Sequence, residues 1–138
     1  MSKKSAKIAA MIENLHGSEM DAHYLGYFEC FNQQLFYEAH DVLEELWLAQ
    51  RKQPNDLFYK GLIQLAGAFV HLQKARLQPA GALFRLARTN ISLYPPQHER
   101  LNVAGVLDLI EDWLKRLEMS SENPLKPGTS PVLKLTDR

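Results

Sequence analysis

Apolar residues along this chain recur every three or four positions and almost never every two, which is the period of helices. Ile8, Met11, Ile12 and Leu15 share one helical face, and Gly17 is a natural stop. A second helix begins near Asp21, with a stripe of Tyr24, Tyr27, Phe28 and Phe31, and Asn32 to Gln34 read as a tight turn. A third covers Phe36 to Ala49. Pro54 and Asn55 open a fourth that runs to about Ala75. Pro79 suits the first turn of a fifth, with Leu83, Phe84, Ala87 and Ile91 inward. That helix ends before Tyr94-Pro95-Pro96, because proline lacks the donor and restricts its predecessor.

The sixth helix has the best start signal. Asn102 can cap it, and Leu101 and Val106 stand at staple positions. Its apolar face is Val103, Val106, Leu107, Ile110, Leu114 and Leu117, and Glu111 with Lys115 and Asp112 with Arg116 are favourable pairs on the wet side. No strand-like alternation stands out. After Met119 the chain turns to Ser, Pro and Gly and reads as a tail, of which "VLKL" can dock as a short extended piece. The expected fold class is all-α: a single-domain array of five or six helices with an extended or disordered C-terminal tail. The parts are an N-terminal helix (1–17), a helical domain (18–119) and the tail (120–138).

Composition narrows the function classes. The chain has 138 residues, 46% of them hydrophobic, enough for one core without staples. Its 16 basic and 16 acidic side chains cancel, whereas a nucleic-acid binder usually carries a basic excess, so nucleic acid is not an expected partner. Zero net charge also leaves little self-repulsion, which permits self-association. Arg85 and Arg88, with Lys74 and Arg76 nearby, read as a solvated face. The single cysteine, Cys30, cannot form an intrachain disulfide and reads as a small buried hydrophobe. No secretory leader is evident, and the longest apolar stretch, around "GLIQLAGAFVHL", is too short to span a bilayer. The expectation is a cytoplasmic protein without membrane association.

Candidate chemistry gathers on the third and fourth helices. At about 100° per residue, Phe36, Ala39, Leu43, Leu46 and Trp47 share one side of the third, with His40 and Glu44 at its edge, where an ionisable group needs a partner. The fourth helix is apolar nearly all round except for a stripe of Gly61, Gln64, Ala68, His71 and Ala75. Helices joined by a short connection usually pack antiparallel, so His40 and Glu44 are expected to meet Gln64 and His71. Three uses follow. The cluster is a structural hydrogen-bond network; or it is a metal or small-ligand site, with Trp47 as a wall, Gln64 orienting a neighbour, and His40, Glu44 and His71 able to hold a divalent transition metal, which imidazole and carboxylate suit; or His40, Glu44 and His71 do acid–base work, a His near a buried Glu having its pKa moved into a useful range. For an enzyme, a metal-assisted hydrolysis, with the ion lowering the pKa of a bound water, is the mildest expectation. The competing class is a protein-interaction module, in which the cluster is glue and the helical surface or tail recruits a partner.

"FNQQLFYEAHDVLEELW", "GLIQLAGAFVHL" and "GALFRLA" together resemble the small all-helical family called domain of unknown function 309, over about Phe28 to Leu93. The ordered set is Phe31-Asn32, His40, Glu44, Trp47, Gly61 to Gln64, His71 and Gly81-Ala82. The resemblance implies a compact helical domain from mostly prokaryotic proteins, with His40, Glu44, Gln64 and His71 at the family's recurring polar positions and no activity assigned. The chain departs at Lys74 to Gln78, where the family often carries a glycine soon after the histidine matching His71.

Overall fold

The computed structural model describes residues 3–17 and 20–136. Six α-helices follow one another: α1 (Lys3–Met11), α2 (Ala22–Asn32), α3 (Phe36–Ala49), α4 (Asp56–Gln73), α5 (Leu77–Ile91) and α6 (Val103–Met119). A 3-10 turn (Glu13–Leu15) lies between α1 and α2. Among the described residues no helix is long and apolar enough to cross a membrane.

Local chemistry sets the helix ends. The Asp21 carboxylate accepts from the backbone N–H of His23 at 2.7 Å and starts α2, and Asn102 does the same for α6 through Gly105. The turns after α2 and α4 share one device. The backbone N–H of Leu35 donates to the Cys30 carbonyl and that of Gln34 to Phe31, while Arg76 donates to His71 and Ala75 to Leu72. This is the paired-bond ending that needs a left-handed residue just past the helix. Gln34 and Ala75 take that conformation with φ of 66° and 56°, without being glycine.

α4 is the central helix, packed by α3 on one flank and α5 on the other. Its buried side carries Phe69, the hub of an aromatic core. The Phe69 ring lies 5.6 Å from Phe31, 5.0 Å from Phe36, 5.2 Å from Phe84 and 5.0 Å from Trp113. One side chain thus ties α2, α3, α5 and α6 to α4, through ring contacts worth about 0.5–1.5 kcal/mol each beyond burial. The α4–α5 approach is close because Gly61 has no side chain: a Cβ there would sit 2.6 Å from Ile91 Cγ1. With the opposite face of α4 fixed by the hub, its Ile63, Gln64, Gly67, Val70 and His71 side looks outward between α3 and α5.

Two features differ from the sequence expectation. A minimal antiparallel ladder pairs β1 (Gln97–His98) with β2 (Leu101–Asn102). Its two-residue turn puts Glu99 and Arg100 at φ of 49° and 61°, a geometry usually signalled by Asn or Gly and therefore silent here. On α6, Asp112 pairs with Arg116 as expected, but Glu111 reaches across to Arg88 of α5 at 2.6 Å.

The tail is extended and docked as far as Thr136. The Asn32 side chain holds the backbone of Leu133 on both sides, its Oδ1 accepting from the N–H and its Nδ2 donating to the carbonyl, each at 2.7 Å. Leu133 is buried, Leu135 bridges to Leu101, and Asn123 Nδ2 donates to the Leu72 carbonyl.

Candidate functional site

A pocket of about 240 Å³ opens over the outward side of α4. Tyr37 and His40 of α3 line one side, Leu83 of α5 the other, and Ile63, Gln64, Gly67, Val70 and His71 of α4 the floor. Gly67 keeps the floor low, since a Cβ there would lie 3.2 Å from Leu83 Cδ1. The walls are mostly aliphatic or aromatic, with three polar side chains at defined places, the usual make-up of a small-molecule site.

Each polar group has its own surroundings. His40 Nδ1 lies 3.1 Å from Asp41 Oδ1 and its Nε2 lies 3.8 Å from Glu44 Oε2, so carboxylates flank both edges of the ring. Its face is covered by Tyr37, with centroids 6.2 Å apart and planes 23° from parallel. Gln64 Oε1 accepts from Asn90 Nδ2 of α5 at 2.8 Å, which engages one of the carbonyl's two lone pairs and leaves both amide N–H donors for other partners. His71 is half-buried, and its Nδ1 is shut off from solvent with no hydrogen-bond partner. Desolvation first, then the positive charges of Arg76 and Lys74, hold this imidazole below its ordinary 6.5. It is therefore neutral at pH 7, with one N–H and one lone pair to offer.

The projection from sequence brought His40, Gln64 and His71 to one place. Glu44 and Trp47 are not among the residues around the pocket. Glu44 stands behind His40. The Trp47 indole N–H donates to Asp56 Oδ1 at 2.7 Å, and Arg51 lies over the Trp47 ring at 4.8 Å, so this side chain joins the end of α3 to the start of α4. Asp56 is held below the usual carboxylate range, first by the backbone N–H of Lys52 and then by the Trp47 indole. Glu44 keeps its expected place beside His40, but a helical projection gives an angle around the axis and a height along it, not the group met there, so it could not exclude these two from the pocket. The metal set fails for a related reason: among the described residues no three His, Cys, Asp or Glu side chains come together as ligands for an ion. His40, Glu44 and His71 do not fit a coordination site, and no step through a metal follows. Of the expected cluster, His40 and Glu44 lie together at 3.8 Å, while Gln64 bonds to Asn90 and Trp47 to Asp56.

Tyr37, Gly67 and Leu83 complete the pocket and were not singled out for it. Tyr37 precedes His40 by one turn, so the same projection contained it. α5 joins α4 through a short turn, so the neighbour rule that paired α3 with α4 also predicts this third wall. Asn90, the partner of Gln64, gave no signal of its own. Cys30 behaves as expected of a buried thiol: burial, then Glu38 and Glu29, push it up to about 11.

Comparison with known proteins bears out the resemblance and leaves activity unassigned. An uncharacterized protein of Aquifex aeolicus (strain VF5) is 25% identical over 91 residues, 66% of this chain and 27% of that protein. The aligned stretch thus spans about a quarter of the curated relative. No solved structure matches the chain. The family match starts four residues before, and stops ten residues short of, the Phe28 to Leu93 expected from the motifs. All eight residues around the pocket fall within it, Leu83 being the last. Over residues 24–83, from early α2 into α5, the chain is similar to the family described as a domain of unknown function (DUF309).

Proposed function

We propose that this domain binds a small organic molecule in the pocket between α3, α4 and α5. His40, Gln64 and His71 are its polar contacts. The observation that carries this reading is that His71, a residue of the pocket floor, has an Nδ1 that is shielded from solvent and without a hydrogen-bond partner. A buried polar atom left unpaired costs about 1–3 kcal/mol, and a turn of the ring about χ2 that brings this nitrogen to a ligand's donor or acceptor removes that penalty. The test is protein-observed NMR of the labelled chain against a fragment library, repeated with Gly67→Met, whose side chain would enter the space beside Leu83. Binding that moves the Gln64, Gly67 and His71 amides and disappears in Gly67→Met supports the pocket. Hits that all map elsewhere, or that survive the plug, contradict it.

A second reading, a groove for a partner's helix, is favoured by one observation. Tyr37 on α3, at the pocket, and Leu86 on α5, three residues beyond the pocket-lining Leu83, are 54% and 49% exposed. Under that reading Leu86→Glu abolishes partner capture, while Gly67→Met leaves it intact.

A further inference from the structure

We infer that the pocket takes a flat, uncharged heteroaromatic ring that stacks beside Tyr37 and presents a paired donor and acceptor edge to Gln64 and His71. The inference rests on the pocket reading above and narrows it to a ligand class.

Size comes first. An apolar cavity of about 150 Å³ holds a benzene ring, so about 240 Å³ seats a fused two-ring system. Shape follows from the lining. The floor has no side chain at Gly67, the aliphatic groups of Val70 and Leu83 bound it, and the exposed Tyr37 ring stands at the mouth. Tyr37 is already stacked on His40, which fixes its plane and leaves its other face for a second ring.

Charge sets the next limit. Asp41 and Glu44 flank His40 on the α3 side. Lys74 and Arg76 act on His71 at the far end of α4. A ligand carrying net charge of either sign meets a like charge at one end, whereas a neutral ring meets none. Neither Gln64 nor neutral His71 offers a charge to compensate an ion for lost water. Hydrogen bonding then sets the edge. Asn90 holds the Gln64 carbonyl toward α5, and the amide N–H donors are what the side chain has to offer a ligand. His71 supplies a lone pair or an N–H according to its tautomer, and rotation of the ring about χ2 brings either nitrogen round. The complement is a ring edge with an acceptor next to an N–H.

The test is a titration of the full chain at pH 7.5 with four probes of similar size: 7-azaindole, indole, benzoate and benzylammonium. The expected result is that 7-azaindole binds at least ten-fold tighter than either ion. Gln64→Met should reduce 7-azaindole to the level of indole, and Tyr37→Ala should weaken both rings with little change in melting temperature. Equal or tighter binding of benzoate or benzylammonium within the pocket overturns the ligand class while leaving the pocket reading standing. So does 7-azaindole binding that neither substitution alters. If neither these probes nor a broad fragment set moves any pocket residue, the pocket reading fails and the inference with it.

Discussion

Replacing Ala75 by glycine should make this protein more stable, although it deletes a methyl group. Ala75 is exposed and sits just past the end of α4 at φ 56°, where the chain turns into α5. The bonds that close the helix there, Ala75 N–H to Leu72 and Arg76 N–H to His71, belong to the backbone and survive the change. An L-residue in the left-handed region crowds its own Cβ against the following carbonyl, at roughly 1–2 kcal/mol. Glycine is free of that strain but loosens the unfolded chain, which returns about 0.4–1 kcal/mol. The net gain is about 0.5–1 kcal/mol, equivalent to about 2–4 °C in melting temperature for a domain of this size. Urea unfolding is the assay: the midpoint of Ala75→Gly should rise at unchanged slope, since the surface exposed on unfolding is the same. A lower or unchanged midpoint would refute the argument, and would mean that the strain at this turn is relieved elsewhere.

Three further outcomes are expected. Asn32→Ala removes both bonds to the Leu133 backbone, so stability should fall by roughly 1–3 kcal/mol, and amide exchange should accelerate over residues 131–136 while the helical core stays protected. Cys30, its thiol pushed up to about 11, should resist iodoacetamide at pH 8 until the chain is unfolded in urea. His71 has a folded pKa below its ordinary 6.5, so the unfolded state takes the proton more readily. The stability tied to this group is complete above pH 6.5, declines as the pH falls below it, and levels off once the folded form protonates too. Acidification from pH 7.5 to 5 should therefore lower the urea midpoint of the parent more than that of His71→Gln.

The helices were legible because each carries a clear apolar period bounded by chemistry that stops it. For α3 the expected Phe36 to Ala49 coincides with the observed span, since a turn residue precedes it and Gln50 ends it. What escaped depends on partners far away in sequence. The Asn32 side chain reads as part of a turn, yet its work is to hold Leu133, 101 residues on. Trp113 was left out of the α6 face, though it closes the aromatic hub at Phe69. At the pocket, His40, Gln64 and His71 were recoverable because each sits at the boundary between an apolar face and water. Trp47 met the same criterion, and its indole was instead claimed by Asp56 in the first turn of the next helix. Periodicity cannot distinguish these outcomes, because it says which side a residue is on and not which group it meets there.

The most direct measurement on the pocket is made on the imidazole nitrogens of His71 in a uniformly ¹⁵N-labelled chain, by long-range proton–nitrogen correlation with and without saturating 7-azaindole. Without the probe, the nitrogens should report a neutral ring at pH 7. With it, one His71 nitrogen should shift as it gains a hydrogen bond, while those of His23 and His98, already bonded to Glu45 and Asn55, should not. A probe that binds while both His71 nitrogens stay put would contradict the claim that this side chain is the polar anchor of the site.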